Sequence, residues 1–169
     1  MDHLWSPWRY RYVSARKSDG ACLFCRIASE SKDDGDKDNY ILLRAERNFV
    51  LLNRFPYTSG HIMIVPYAHV ATLEAADPVT LAEMMSLAQR MEAVLRRVYQ
   101  AGGLNLGLNI GKSAGAGIAE HIHMHVLPRW AGDVNFMTTV AETRVLPEDL
   151  ETTYARLLEG LNSATNKHE

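Results

Sequence analysis

Three of the seven histidines fall within five residues, His121-Ile122-His123-Met124-His125. Side chains alternate between the two faces of a strand, so this spacing projects all three imidazoles from one side. An imidazole is a nucleophile and general acid near neutral pH and the commonest transition-metal ligand. The row therefore points to a catalytic site, a metal site, or both. A strand face that only had to be polar would need no histidine, since Lys, Thr or Glu suffices. Just upstream, Gly111, Gly115 and Gly117, with Ala114 and Ala116, leave the main chain bare. Backbone N–H groups there can approach an anion, and Lys112 and Ser113 add a charge and a hydroxyl. Alone, such a loop reads as a flexible connection between strands; beside three histidines it reads as a phosphate cradle. Asn109 faces the same way as the histidines if the two strands pair, and offers a further hydrogen bond to phosphate or ribose.

The two cysteines, Cys22 and Cys25, stand in CLFC. Two cysteines exclude a disulfide scaffold. By themselves they fit buried small residues, a redox pair, which expects a βαβ context this chain lacks, or half of a metal site. His61 reads as a core or supporting histidine, and His3 and His168 as solvated terminal residues.

The elements that must hold these residues follow from periodicity. Tyr40–Leu43, Phe49–Asn53 and His61–Val65 are strand-like runs separated by turn candidates, which suggests an antiparallel meander. Asp77-Pro78 starts a helix and Gly102-Gly103 is its matching stop. Between them Leu81, Met84, Leu87, Met91, Leu95 and Val98 recur at helical spacing. Leu104–Ile110 alternates, with Leu104, Leu106, Leu108 and Ile110 on the face expected to be buried, and Ile118–Leu127 alternates again. A second amphipathic helix is expected over Pro147–Leu161. Ser29–Asn39, almost wholly polar and charged, reads as a solvated loop, and Ala131–Val145 as largely irregular. Residues 1–14, with Trp5, Trp8 and an Arg/Tyr run, read as an arm that packs on its own domain or on a partner. These elements predict an α+β domain with an antiparallel sheet of about five strands flanked by two main helices.

At 169 residues and 47% hydrophobic, the chain has length and apolar content for one buried core. Its formal charge of -2 excludes a global positive field of the kind that coats DNA. The apolar runs are far short of the roughly 20 residues a bilayer helix needs, and the N-terminus lacks a signal-peptide apolar run. The expectation is a soluble, cytoplasmic protein with neither nucleic acid nor membrane as partner.

The run Asn109-Ile110-Gly111, then Ala114-Gly115, then His121-x-His123-x-His125-x-x-Pro128-Arg129 resembles the signature of the histidine triad (HIT) family of nucleotide hydrolases and transferases. Asn53-Arg54-Phe55-Pro56, Gly60-His61 and Val65-Pro66-x-x-His69 match the family pattern in order, so the resemblance spans roughly residues 20–130. Leu4-Trp5-Ser6-Pro7-Trp8-Arg9 and Trp130 through Met137 are similar to a bacterial branch that includes diadenosine tetraphosphate phosphorylases. In this sequence the phosphate loop carries no Gln where many relatives place one, and Glu120 points to the strand face opposite His121.

The resemblance implies a single HIT-like domain: an arm over 1–20, a core over 21–130 and an extension with a helix over 131–169. It implies that His123 attacks the α-phosphorus of a nucleotide to form a nucleotidyl-histidine, which water, phosphate or another acceptor resolves. His125 would serve the phosphate and leaving-group region. Asn109, Lys112, Ser113, Gly115 and Gly117 would steady the phosphate oxygens, and Asn53 the ribose. In zinc-bearing members of the superfamily, hexose-phosphate uridylyltransferases included, positions matching His69 and His121 complete a Cys2His2 site with the cysteine pair. Here that would be a structural zinc, closed to water, on Cys22, Cys25, His69 and His121. A homodimer through the Asp77–Ala101 helix and the strand after it is implied as well. The implied substrate is a purine nucleotide or dinucleoside polyphosphate such as diadenosine tetraphosphate. The alternatives are a nucleoside phosphoramidate hydrolase using the same His123, a nucleotide binder without turnover, and a zinc-centred interaction module.

Overall fold

Alternation along two central strands decides the layers. Strands β2 (Asn48–Leu52) and β3 (Ile62–Pro66) are buried at every position, because each face of the sheet carries its own cover. Val50, Leu52, Ile62 and Ile64 enter one core, while Phe49, Leu51, Met63 and Val65 enter a second on the opposite face. The computed structural model describes residues 21–30, 32–133 and 148–165. The N-terminal arm, His3, His168 and most of the irregular stretch after Asp133 lie outside them. Strands β1 (Ile41–Arg44), β2, β3, β4 (Gly103–Leu108) and β5 (Met124–Arg129) form one sheet in the order β1-β2-β3-β5-β4, antiparallel throughout. The expected α+β architecture and the meander over the first three strands are both present.

Helices α1 (Leu23–Ser29), α2 (Lys32–Asp38), α3 (Pro78–Tyr99) and α4 (Leu150–Thr165) complete the described fold. Helix α3 starts as expected: Asp77 Oδ1 accepts from Val79 N at 3.1 Å, and Pro78 occupies the first turn, where no N–H is needed. It stops two residues before the glycines, at Gln100 in the left-handed conformation, and Gly103 opens β4 instead. Met84, Leu87, Met91, Val94 and Leu95 bury one stripe of α3 against the sheet. Truncating one such side chain to Ala typically costs about 2–5 kcal/mol. Helix α4 adds Leu157 and Leu161 to that core. It crosses α3 so closely that a Cβ on Gly160 would stand 2.5 Å from Val98 Cγ2.

Three expectations are corrected. Ser29–Asn39 is no plain loop, since Lys32–Asp38 is helical. What overrides its polarity is tertiary: Arg44 pairs with Asp36 at 2.7 Å and donates to the carbonyls of Ile27, Ala28 and Glu30, tying α1, α2 and β1 together. The strand expected over Ile118–Leu127 begins only at Met124, because Ile122 N donates to Val70 O at 2.8 Å instead of continuing the ladder with β4. Finally, Leu106 and Ile110 are 45% and 39% exposed, although Leu104 and Leu108 do pack against the first core. Strand β4 is the sheet edge, and its middle is left uncovered.

Candidate active site

The departure of residues 118–123 from the ladder splits the histidine row into two environments. His121 is fully buried and turns towards the start of α1. Its Nε2 donates to Pro66 O at 2.8 Å, which fixes the proton there and leaves Nδ1 as a lone pair. That Nδ1 lies 3.3 Å from Cys22 Sγ and 3.7 Å from Cys25 Sγ, and His69 Nδ1 lies 3.2 Å from Cys25 Sγ. All four donor atoms fall within 4.8 Å of one another. A tetrahedral zinc with bonds of about 2.0–2.3 Å has donor-to-donor edges of about 3.5 Å, so both the spacing and the two-thiol, two-imidazole donor set fit that ion. The four sequence-derived ligands therefore come together in a cluster compatible with zinc. Cys22 and Cys25 are half-buried, His69 is exposed and His121 is buried, so the cluster runs from the interior to the surface.

His123 sits on the same face of the chain in a different setting. Its Nδ1 donates to His121 O at 2.9 Å, so Nε2 carries the lone pair. The side chain is almost fully buried, and burial holds its pKa below the ordinary imidazole value, keeping it neutral at pH 7. His125 lies beside it, ring centroids 4.9 Å apart and edge-on. His125 Nδ1 is 2.9 Å from His61 Nε2, and His61 Nδ1 accepts from Tyr57 N at 3.1 Å. Since His61 Nδ1 is the acceptor, its Nε2–H donates to His125, and the single proton of neutral His125 rests on Nε2. Burial, reinforced by His123, lowers His125 to about 4. Burial with His125 and His123 lowers His61 to about 3. His61, expected to be a core or supporting histidine, is 1% exposed and fills that role by orienting His125.

His123 and His125 open into a cleft. Its floor crosses the sheet through Met63 and Leu51, its apolar wall is Leu23, Phe24 and Ile27 of α1, and Asn53, Asn109, Gly115 and Gly117 line it too. Gly111 and Gly115 have φ of 80° and 85°, a conformation that a side chain would strain. Lys112 and Ser113 stand on the short 3-10 turn between them and are exposed, outside the cleft wall. Glu120 is exposed as well. Sequence reasoning missed Phe24, whose ring lies 5.4 Å from that of His121 and 5.0 Å from that of His123, and also Asn39, Arg54 and Tyr57 in the cleft lining. The spacing of Leu23 and Ile27, i and i+4 around the cysteine motif, was the available signal for α1.

A five-stranded antiparallel sheet presenting paired histidines to a cleft beside a glycine loop defines a histidine triad protein, and the HIT domain family model matches residues 34–132. The chain belongs to the HIT domain family, and it is an enzyme of that family. It is 35% identical to the AP-4-A phosphorylase of Mycobacterium tuberculosis over 157 residues, covering 90% of this chain and 80% of that protein. A Zn-bound histidine triad family protein from Mycobacterium smegmatis superposes with a TM-score of 0.71 at 31% identity, covering 87% of this chain and 97% of the other. A hypothetical histidine triad nucleotide-binding protein from Sulfolobus tokodaii superposes at 0.67 and 26% identity, over 86% and 95% of the two chains. Among the described residues no helix is long and apolar enough to cross a membrane.

Proposed function

We propose that this enzyme cleaves dinucleoside polyphosphates, diadenosine tetraphosphate first among them, by nucleotidyl transfer through His123. The observation that carries the reading is the His123 Nδ1–H bond to His121 O, which leaves a neutral imidazole with Nε2 free to attack. The similarity to AP-4-A phosphorylase points to phosphate as acceptor. In the first step Nε2 of His123 forms a bond to the α-phosphorus as the bond from that phosphorus to the bridging oxygen breaks. The departing nucleotide leaves as a phosphate anion, and the Nε2–H of neutral His125 hydrogen-bonds the oxygen on which its charge develops. In the second step an oxygen of inorganic phosphate attacks the α-phosphorus and the N–P bond breaks, returning its electron pair to His123 Nε2, while the proton of the attacking phosphate stays on the terminal phosphate of the product. Splitting a displacement at a charged, weakly electrophilic centre into two steps is what a covalent intermediate offers. Amides of the loop around Gly115 and Gly117, with Asn109, steady the phosphoryl oxygens, and Asn53 contacts the ribose; Lys112 and Ser113, outside the cleft wall, take no part in this reading.

Cys22, Cys25, His69 and His121 hold a structural zinc in this reading; it takes no part in the reaction and supplies a rigid anchor for the start of α1. The domain division into an arm over 1–20, a core over 21–130 and an extension over 131–169 belongs to the same proposal. So does a cytoplasmic homodimer, for which the exposed Leu106 and Ile110 at the uncovered β4 edge are the support. Product analysis tests the activity. Incubation with diadenosine tetraphosphate and inorganic phosphate is expected to yield ADP plus ATP. AMP plus ATP without phosphate would make the enzyme a hydrolase, and turnover of nucleoside phosphoramidates alone would replace the substrate class.

A further inference from the structure

At the end of the cleft farthest from the histidines stands a polar side chain to which the reaction gives no task. Asn39 is 7% exposed and lines the cleft. Both hydrogens of its amide nitrogen are committed: Nδ2 donates to Glu30 Oε2 at 2.5 Å and to Gly35 O at 2.8 Å. These two acceptors fix which amide atom is nitrogen, so Oδ1 is the other, and among the described residues it has no partner. The arrangement is held from behind. A Cβ on Gly35 would stand 2.9 Å from Glu30 Cβ, so only glycine lets α2 approach the end of α1 closely enough for both acceptors to grip one amide. Asn39 N also donates to Gly35 O at 3.0 Å.

Its place in the sheet says what part of a ligand could meet it. The cleft crosses the strands in their lateral order, from His125 on β5 through Met63 on β3 and Leu51 on β2 to Asn39, which immediately precedes Tyr40 and β1. Three strand spacings make this about 14 Å. A nucleotide with its α-phosphorus at His123 and its ribose beside Asn53 can reach Asn39 only with its base. The walls between are apolar, Leu23, Phe24 and Ile27, as the faces of a purine require.

We propose that Asn39 Oδ1 is the acceptor that selects a purine carrying an amino group at position 6, so that the cleft prefers adenine. The inference rests on the nucleotide reading of the cleft. Because Oδ1 cannot be exchanged for the nitrogen by an amide flip without losing two hydrogen bonds, the position is an acceptor only. A 6-oxo group would set two lone pairs against each other, and a purine without a 6-substituent would leave Oδ1 unpaired.

Isothermal titration of the whole chain with AMP, purine riboside 5′-monophosphate and IMP tests this, because the three share ribose and phosphate. AMP is expected to bind about tenfold tighter than either, the equivalent of one neutral hydrogen bond. In Asn39→Ala the three affinities should converge, with the weaker two nearly unchanged. Equal affinities for AMP and purine riboside 5′-monophosphate in the unaltered protein overturn the role of Asn39 while leaving the nucleotide reading intact, and so does tighter binding of IMP. No binding of any of the three overturns both. The comparison of ligands on the unaltered protein decides the matter even if Asn39→Ala does not fold.

Discussion

His121 and His123 are two residues apart on one face of the chain, yet they do opposite things. His121 gives its Nε2 proton to Pro66 O and presents Nδ1 to two sulfurs. His123 gives its Nδ1 proton to His121 O and keeps Nε2 for the cleft. Identical side chains are thus turned towards the cysteines or towards the cleft by which ring nitrogen meets a carbonyl. Phe24, in contact with both rings, physically joins the two halves.

The largest expected effect breaks the catalytic half alone. His123→Ala should lower turnover of diadenosine tetraphosphate by about 10⁴-fold or more, the scale for loss of a covalent nucleophile. Its metal content by atomic absorption and its melting temperature should stay close to those of the parent. If turnover survives within tenfold, the nucleophile is another group.

Breaking the metal half should read out on stability first. Cys22→Ser, or removal of metal with a chelator, is expected to lower the melting temperature by about 10 °C or more, since a structural zinc couples directly to folding. Nucleotide affinity should fall with it, because α1 carries the apolar wall of the cleft. Unchanged melting of a protein shown to have lost its metal would mean that Arg44 alone holds α1 in place.

A smaller effect sharpens the comparison within the catalytic half. His61 touches His125 and orients it. His61→Phe should therefore reduce kcat by about 10- to 100-fold with little change in KM, as for misorienting a hydrogen-bond donor to the leaving oxygen. A KM effect with kcat intact would make His61 a binding residue.

The last effect, on pH dependence, is read on the unaltered protein. His125 and His61 titrate near 4 and 3 in the folded protein and near 6.5 when unfolded. Between those values the unfolded state binds more protons, so stability falls as pH drops from about 6.5 and the loss levels off below about pH 3. Urea midpoints from pH 7 to 4 should show that decline, and His61→Gln should flatten part of it.

What could be read before folding was whatever depends on local spacing. Period two exposed the histidine row, the apolar stripe from Leu81 to Val98 gave α3, and Asp77-Pro78 gave its start, because each signal lies within a few residues of chain. The ligand set Cys22, Cys25, His69 and His121 came from motif resemblance, and its convergence joins residues up to 99 apart. Ser29–Asn39 shows the limit. Its polarity suggested a solvated loop, but Arg44, donated from β1, reaches four acceptors across α1 and α2 and turns the segment into one end of the cleft. Such long-range partners leave no periodic trace.

The sequence by itself determined the residue types, the α+β alternation and the chemistry that three histidines beside a glycine loop can perform. Only the tertiary structure decided which imidazole nitrogen is free, that His61 stands behind His125, and that Asn39 faces the cleft. Tautomer and orientation depend on which carbonyl or N–H a ring meets, and those partners, Pro66 O for His121 and Tyr57 N for His61, come from backbone brought alongside by folding.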